Sequence, residues 1–525
     1  MKNVNFIIIA AVAALFIGCN KDLGNYDYSE KDTLFVSGIP DTVSAQIGQS
    51  PEIYLDLKAK LGSVDESELT FEWCAYDQSI SDKTKQKQIL SRKKDLNSGL
   101  PLKIGSYKSF LTVRNKRTGN IWTYPFRLLI EGAYGKYGWF ILSDQNGEAH
   151  IDFQQDDPKA WNTYPIAYKD FNNLLLDLAS GESFTLTGKP ISIEFLSNRD
   201  IINTAFKNFV YVNTDQKTYK INVSDGMTYN SVTYNFLNET VLGEPNRADY
   251  VLGISSGGSY VMKDNDIYSL ENSQQKYYNV PANKKPDGSR YNVSNYTAIP
   301  MGNISGNMIL FDTDNRRFMR LSLAAATATA LSSPDKEINV GDTKMDLVWL
   351  GHSSAFGGQA VAIMKDGTKF YLIRMTFTSS AIFSVDSVTE ITSLLPEIAN
   401  AKHFAVDNFY GYVFYATDNK LYQYDMDSKI VKLAKDYSDR TISLIKFNHS
   451  TNNLAVGSPA YIKQAERLEP VGYSIIVGTY NEENPTNSGK VEFWRVNALM
   501  GPLTESFKPF EGMGKVVDIT YLDIS

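Results

Sequence analysis

The sequence predicts an all-β protein in which a small β-sandwich is followed by a seven-bladed β-propeller, and three observations lead there. Aromatic residues are abundant, with 32 Tyr and 27 Phe among 525 residues, while stretches of helical period are few; such side chains favour strands. Short segments between residues 34 and 135 alternate apolar with polar side chains, the period of a half-buried strand. From residue 136 to 525 a strand–turn–strand pattern recurs about every fifty residues, and strand-only repeats of that period build propellers.

The first eighteen residues read as a signal peptide. Lys2 supplies a positive start, and the run from Phe6 to Ile17 is apolar throughout. A spanning helix takes roughly 20 apolar residues, so this run is too short for a permanent anchor and has the length of a secretory core. It ends in Leu15-Phe16-Ile17-Gly18-Cys19, which resembles a lipobox with Phe16 where Leu is usual. The resemblance implies cleavage before Cys19 and acylation of its thiol. Each buried CH₂ of an acyl chain contributes about 0.8 kcal/mol, so two or three chains hold a protein on a leaflet without a spanning helix. Lys21 and Asp22 behind that cysteine resemble the surface-export signal of Bacteroidota lipoproteins, which implies the exterior face of the outer membrane.

Charge and cysteine content set further bounds. Lys and Arg number 52 against 59 Asp and Glu, a net charge of −7, which gives no general field attracting nucleic acid. With Cys19 acylated, Cys74 is the remaining thiol and no intrachain disulfide forms. Stability therefore rests on burial, and 43% hydrophobic residues over this length supply several cores.

Residues 19–33 are expected to be the lipidated Cys and a polar tether, and residues 34–135 the sandwich. Ile53-Tyr54-Leu55-Asp56-Leu57-Lys58 alternates strictly, as do Leu69, Phe71, Trp73 and Ala75 against Thr70, Glu72 and Cys74. The longest alternation is Trp122, Tyr124, Phe126, Leu128 and Ile130, joined to Phe110-Leu111-Thr112-Val113-Arg114 through a turn at 116–120. Several short strands separated by turn signals make a sandwich. Trp73 is expected to be its core aromatic and Cys74 a structural thiol. The GNYDY run after Cys19, then LTFEW and TVRNKRTGNIW-TYPFRLLI, resembles the PKD-like lipoproteins of Bacteroidota over roughly residues 19–135. The resemblance implies an Ig/PKD-like sandwich. It also implies a setting beside SusC/SusD-type outer-membrane transporters, which import oligosaccharides or oligopeptides.

In the repeat, six hairpins carry an Asp at or near the turn, over 138–153, 209–223, 258–270, 307–323, 360–375 and 412–427. The aspartates are Asp144, Asp215, Asp264, Asp314, Asp366 and Asp418, spaced 71, 49, 50, 52 and 52 residues apart. A seventh hairpin joins 472–481 to 489–496 through a longer connection. Asp and Asn accept backbone hydrogen bonds in tight turns, so these aspartates read as hairpin chemistry and not as catalytic or metal carboxylates. An additional strand at 403–408 precedes its hairpin. The final KVVDITYLD looks like such a strand with no hairpin after it, and the hairpin at 138–153 has none before it. The two halves are expected to complete one blade and close the ring. The first gap contains extra residues with one short helix expected around 171–178, and a second insertion spans 458–470. Insertions in repeat proteins map to loops on one face, often the binding face.

Searches for chemistry find little. His150, His352, His403 and His449 stand in neither HxxxH nor HExxH spacing, and no GxSxG elbow, P-loop or dinucleotide fingerprint is expected. Asp312-Thr313-Asp314 and Asp425-Met426-Asp427 read as turn acids before Ca²⁺ ligands. No catalytic residue, metal or cofactor is expected, and ligand-binding residues are not legible. Paired carboxylates remain open because they meet in space and not in sequence. The expected function is a non-catalytic, surface-exposed lipoprotein that binds nutrient beside a SusC/SusD-type transporter. The alternatives are a glycan- or peptide-cleaving enzyme with its site in the propeller channel, or a scaffold of the transporter complex. Clustered carboxylates in the channel favour the enzyme, an exposed aromatic strip favours glycans, and a polar groove with a free strand edge favours peptides.

Overall fold

A computed structural model of the chain divides into two compact units, Met1–Glu131 and Gly132–Ser525. It describes residues 33–523 except 47–50, 61, 78–82, 85, 99, 101, 103–104, 132–136, 156–168, 171–176, 178, 181–183, 200–205, 225–226, 255–257, 271–276, 279, 286, 301–305, 335, 379, 381 and 449–469. The signal peptide, Cys19, Lys21 and Asp22 lie outside the described residues. So do nearly all of the expected helix at 171–178 and of the insertion at 458–470.

In the first unit the larger sheet has five strands, in the order Thr42–Gln46, Ile121–Glu131, Gly105–Asn115, Leu69–Tyr76 and Lys87–Ser91. The first two pair parallel and the others antiparallel. Leu34–Ser37 and Asp56–Ala59 form a second, two-stranded sheet. Trp73, Leu111, Val113 and Leu128 are fully buried between them. The Trp73 indole donates to the carbonyls of Lys93 and Lys94, each at 3.1 Å, and meets Phe126 edge-on at 5.7 Å. Trp73 is thus the core aromatic that its alternation predicts. Cys74 is buried beside it, and burial pushes its thiol pKa up, which makes the thiol less reactive. The alternation at Ile53–Lys58 holds in burial but only partly in pairing. The Asp95 carboxylate accepts the Leu55 N–H at 2.9 Å and removes a ladder donor, while Ile53 bridges to Leu96.

The second unit contains, among the described residues, seven sheets. All seven hairpins expected from the repeat are present as antiparallel pairs. Numbered from the first hairpin, blade 1 combines Tyr137–Gln145, Glu148–Gln155 and Lys169–Asp170 with the final strand Lys515–Asp523. Blades 2 and 3 open with Pro190–Arg199 and Tyr250–Gly253, and blades 5, 6 and 7 with Asp346–Ser353, His403–Val406 and Thr441–Phe447. Blade 4 has no regular first strand. The run 292–300 takes that place, held to the strand Met308–Asp312 by the isolated bridges Val293–Asp312 and Ala298–Ile309. Blades 5, 6 and 7 have four strands, and in blades 2 and 3 the sheets have three.

Ring closure follows the expectation from the unpaired last strand: Lys515–Asp523 pairs antiparallel with Tyr137–Gln145. Packing closes it as well. Seven apolar clusters each join consecutive blades, and one of them packs Ile476, Val491 and Phe493 of blade 7 against Trp139, Ile141 and Ile519 of blade 1. Because both faces of a blade meet a neighbour, middle strands such as Met308–Asp312 and Val413–Ala416 are buried at every residue. Continuous apolar runs, not alternation, are what such strands require. The architecture is all-β, a PKD-like sandwich and a seven-bladed propeller.

Candidate functional site

The opening strands of the blades surround a cavity of about 390 Å³, and each of the seven blades contributes to its wall. Blade 1 supplies Asp518, blade 2 Glu194, blade 5 Trp349 and His352, blade 7 Lys446, and the run in blade 4 supplies Tyr296. This places the cavity on the propeller axis. Its wall includes aromatic residues, Tyr250, Tyr296, Trp349 and Phe404, and Trp349 stacks on Phe404 with centroids 6.1 Å apart.

Three charged side chains meet there. The Lys446 ammonium donates to Asp518 Oδ1 at 2.8 Å and to the Ile519 carbonyl at 3.0 Å, and stands 3.9 Å from Glu194 Oε2. Asp518 Oδ2 accepts the Ile193 N–H at 3.0 Å, and Oδ1 also accepts the Ile519 N–H at 2.9 Å. Lys446 and Asp518 therefore tie blades 7, 1 and 2 together where the ring closes, an ordinary structural use of a shielded ion pair. Glu194 differs, since its carboxylate has the 3.9 Å ion pair and no hydrogen bond within reach among the described residues. Burial, with a smaller push from Asp518, raises its pKa to about 7 against the pull of Lys446. Burial pulls Lys446 down, but Asp518 and Glu194 more than offset this and hold it above the ordinary lysine range.

His352 is buried in the same wall, and its Nε2 lies 2.9 Å from the Phe377 carbonyl. That bond makes Nε2 the N–H of the neutral ring and leaves Nδ1 an acceptor with no partner among the described residues. Burial lowers the His352 pKa to about 4, so the ring is neutral at ordinary pH. Desolvation raises Tyr250 to about 12.

The residues singled out in the sequence lie elsewhere. Asp144 accepts the Gly147 N–H at 2.6 Å, Asp215 the Lys189 N–H at 2.8 Å, and Asp314 the Asn292 N–H at 2.9 Å. Asp264 adopts φ of 51° at its turn, Asp366 pairs across its turn with Lys369, and Asp418 forms an ion pair with Lys402. Asp144 thus bonds within its own turn as expected, whereas Asp215 and Asp314 bond the backbone of the preceding segment and Asp418 pairs with a lysine outside its hairpin. Asp312 is fully buried and taken up by Asn315 and Arg317, while Asp425 caps Asp427 and Ser428. His150 stands 3.3 Å from Asp152, burial lowers the pKa of His403, and His449 is outside the described residues. Among the described residues no three His, Cys, Asp or Glu side chains cluster as metal ligands.

Gly253-Ile254-Ser255-Ser256-Gly257 has the GxSxG spacing of a nucleophile elbow. Ser255 lies outside the described residues, and the run joins the strand Tyr250–Gly253 to another strand, Ser259–Lys263. The strand-to-helix context of an elbow is missing. Glu194, Lys446 and Asp518 were not legible as a group, but each carries a signal. In ISIEFLS, SLIKFN and VVDITYL one charge interrupts an apolar opening strand, where a neutral side chain would bury more readily.

Residues 19–176 match the sequence model of the PKD-like family, a range that runs past the sandwich into the first propeller hairpin. No curated protein matches the chain. Among solved structures the chain is similar to a quinonprotein alcohol dehydrogenase-like protein of Bacteroides thetaiotaomicron VPI-5482, at 11% identity over 94% of this chain and 99% of that one, with a TM-score of 0.44. It is also similar to PorZ, a surface component of the type-IX secretion system of Porphyromonas gingivalis, at 11% identity over 73% of this chain and 40% of that one, with a TM-score of 0.36. Neither likeness carries over an activity or a partner.

Proposed function

We propose that this chain is a lipid-anchored accessory protein on the outer surface of the outer membrane, where it captures an oligosaccharide or oligopeptide in the propeller channel for a SusC/SusD-type transporter and does not convert it. The observation that carries the reading is the axial cavity: enclosed by seven blades, walled by aromatic rings and supplied with a few polar groups, it has the make-up of a small-ligand site. Two of its three charged groups, Lys446 and Asp518, are engaged in bonds that close the ring, which suits holding better than turnover. Tethering through Cys19 would keep the site near the importer and raise the local ligand concentration.

One observation favours an enzyme instead. Glu194, with its pKa near 7, shares Lys446 with a second carboxylate, and two carboxyl groups in unlike environments are the parts of an acid–base pair. The deciding experiment screens the full chain against oligosaccharide and oligopeptide pools for both binding and products, beside Thr297→Trp, which fills the cavity. Saturable binding that Thr297→Trp abolishes, without products, supports capture. Product formation that disappears in Asp518→Asn overturns it in favour of the enzyme.

A further inference from the structure

We propose that the channel selects ligands carrying a primary ammonium group, which sits against the Glu194 carboxylate while the rest of the ligand lies against the aromatic wall. This rests on the reading of the channel as a ligand site and names the chemistry that site takes. Lys446 and Asp518 satisfy each other and the backbone of Ile193 and Ile519, so their charges cancel. Glu194 is left as an excess negative charge, 3.9 Å from an ammonium already committed elsewhere and without a hydrogen-bond donor of its own among the described residues. A half-buried carboxylate in that position gains most from a donor that is itself charged. The walls fit the same ligand, because Tyr250, Tyr296, Trp349 and Phe404 line the cavity and aromatic faces attract ammonium groups. Among the described residues of the cavity wall the cation is Lys446, already bonded to Asp518, so an anion would meet no free cation there.

The titratable side chains in the cavity wall besides Glu194 are Lys446, Asp518, Tyr250, Tyr296 and His352. Desolvation raises both tyrosines, and His352 is neutral above about 4. Glu194, raised to about 7, then governs the pH dependence. An ammonium ligand needs the ionised carboxylate, so affinity falls as pH drops through 7; because an α-amino group of pKa about 7.7–8.0 is itself partly neutral at pH 8, the fall between pH 8 and pH 6 is roughly threefold to fivefold.

An amino-terminal peptide and an amino sugar present the same group, and four probes separate them. Trileucine, N-acetyl-trileucine, the glucosamine trimer and maltotriose are titrated calorimetrically into the full chain, into Glu194→Gln and into Thr297→Trp, at pH 6 and pH 8. The expected result is that at least one of trileucine and the glucosamine trimer binds, and that Glu194→Gln weakens this at least tenfold at pH 8 and removes the loss of affinity toward pH 6. Acetylation should weaken trileucine tenfold or more if the source is a peptide; binding of the glucosamine trimer alone points to an amino sugar. Binding that Thr297→Trp abolishes but that is indifferent to acetylation and to Glu194→Gln overturns the ammonium assignment and leaves capture standing, as does binding of maltotriose alone. If none of the four binds, the ammonium assignment and the capture reading fall together. Thermal melts of each variant confirm that lost binding is not lost folding.

Discussion

Replacing Leu522 by Ala, and separately ending the chain at Gly514, tests whether the last strand holds the propeller closed. Leu522 is fully buried in the core shared by blades 1 and 2, against Phe140 and Val212. Removing a buried Leu side chain costs about 2–5 kcal/mol. The second unit spans Gly132–Ser525, and an unfolding entropy of about 2.1 cal/mol/K per residue turns that loss into a fall in Tm of roughly 2–6 °C. Truncation is more severe, since Val516, Ile519, Tyr521 and Leu522 are all buried. At about 1.5–3 kcal/mol for each side chain the loss is ~6–12 kcal/mol, comparable with the whole stability of a typical domain. The strand Tyr137–Gln145 would also be left with an open edge. Differential scanning calorimetry reads both effects, with Phe35→Ala, at an exposed position of the sandwich, as a control expected to be silent. A truncated chain that keeps the wild-type propeller transition, or a Leu522→Ala shift below about 1 °C, would refute the closure argument.

Two further outcomes are expected. Glu194 has a folded pKa near 7 against an ordinary 4.5, so its contribution is fully present below pH 4.5 and is lost as pH rises to 7; Glu194→Gln should therefore melt higher than wild type at pH 8 and alike at pH 4.5. Discounted for its partial exposure to the cavity, the gain is roughly 2 kcal/mol, and an equal or lower melt at pH 8 would contradict the burial of an ionised group. Cys19→Ala should yield an unacylated chain released from the membrane fraction, while external protease digests the wild type on intact cells; complete protection there would contradict surface display.

Some elements were legible because short stretches of chain encode them. Trp73 and the alternation around it identify a sandwich core, and the aspartates near fifty-residue spacing mark hairpins, although among them Asp144 bonds within its turn, to Gly147, while Asp215 and Asp314 reach the preceding segment. The unpaired strand at 515–523 foretold closure, since a propeller leaves no strand edge between its first and last blades. Other elements were less legible. Blade 4 has two isolated bridges where other blades have a first strand, and the pairing of Ile53–Lys58 yields to the Asp95 side chain. At Ile53–Lys58 a local hydrogen bond overrode the hydrophobic period.

The sequence by itself determined the seven propeller hairpins, their order and the strand that closes the ring, because periodicity, turn residues and repeat length act over tens of residues. The chemistry of the channel was decided only in three dimensions. Lys446 and Asp518 are 72 positions apart, and Ile193, beside Glu194, is 325 from Asp518, so no local pattern relates them. They meet because seven similar blades each turn an opening strand toward one axis. Whether the charge on that strand is cancelled, as for Asp518, or left in excess, as for Glu194, depends on which neighbours the closed ring brings within reach.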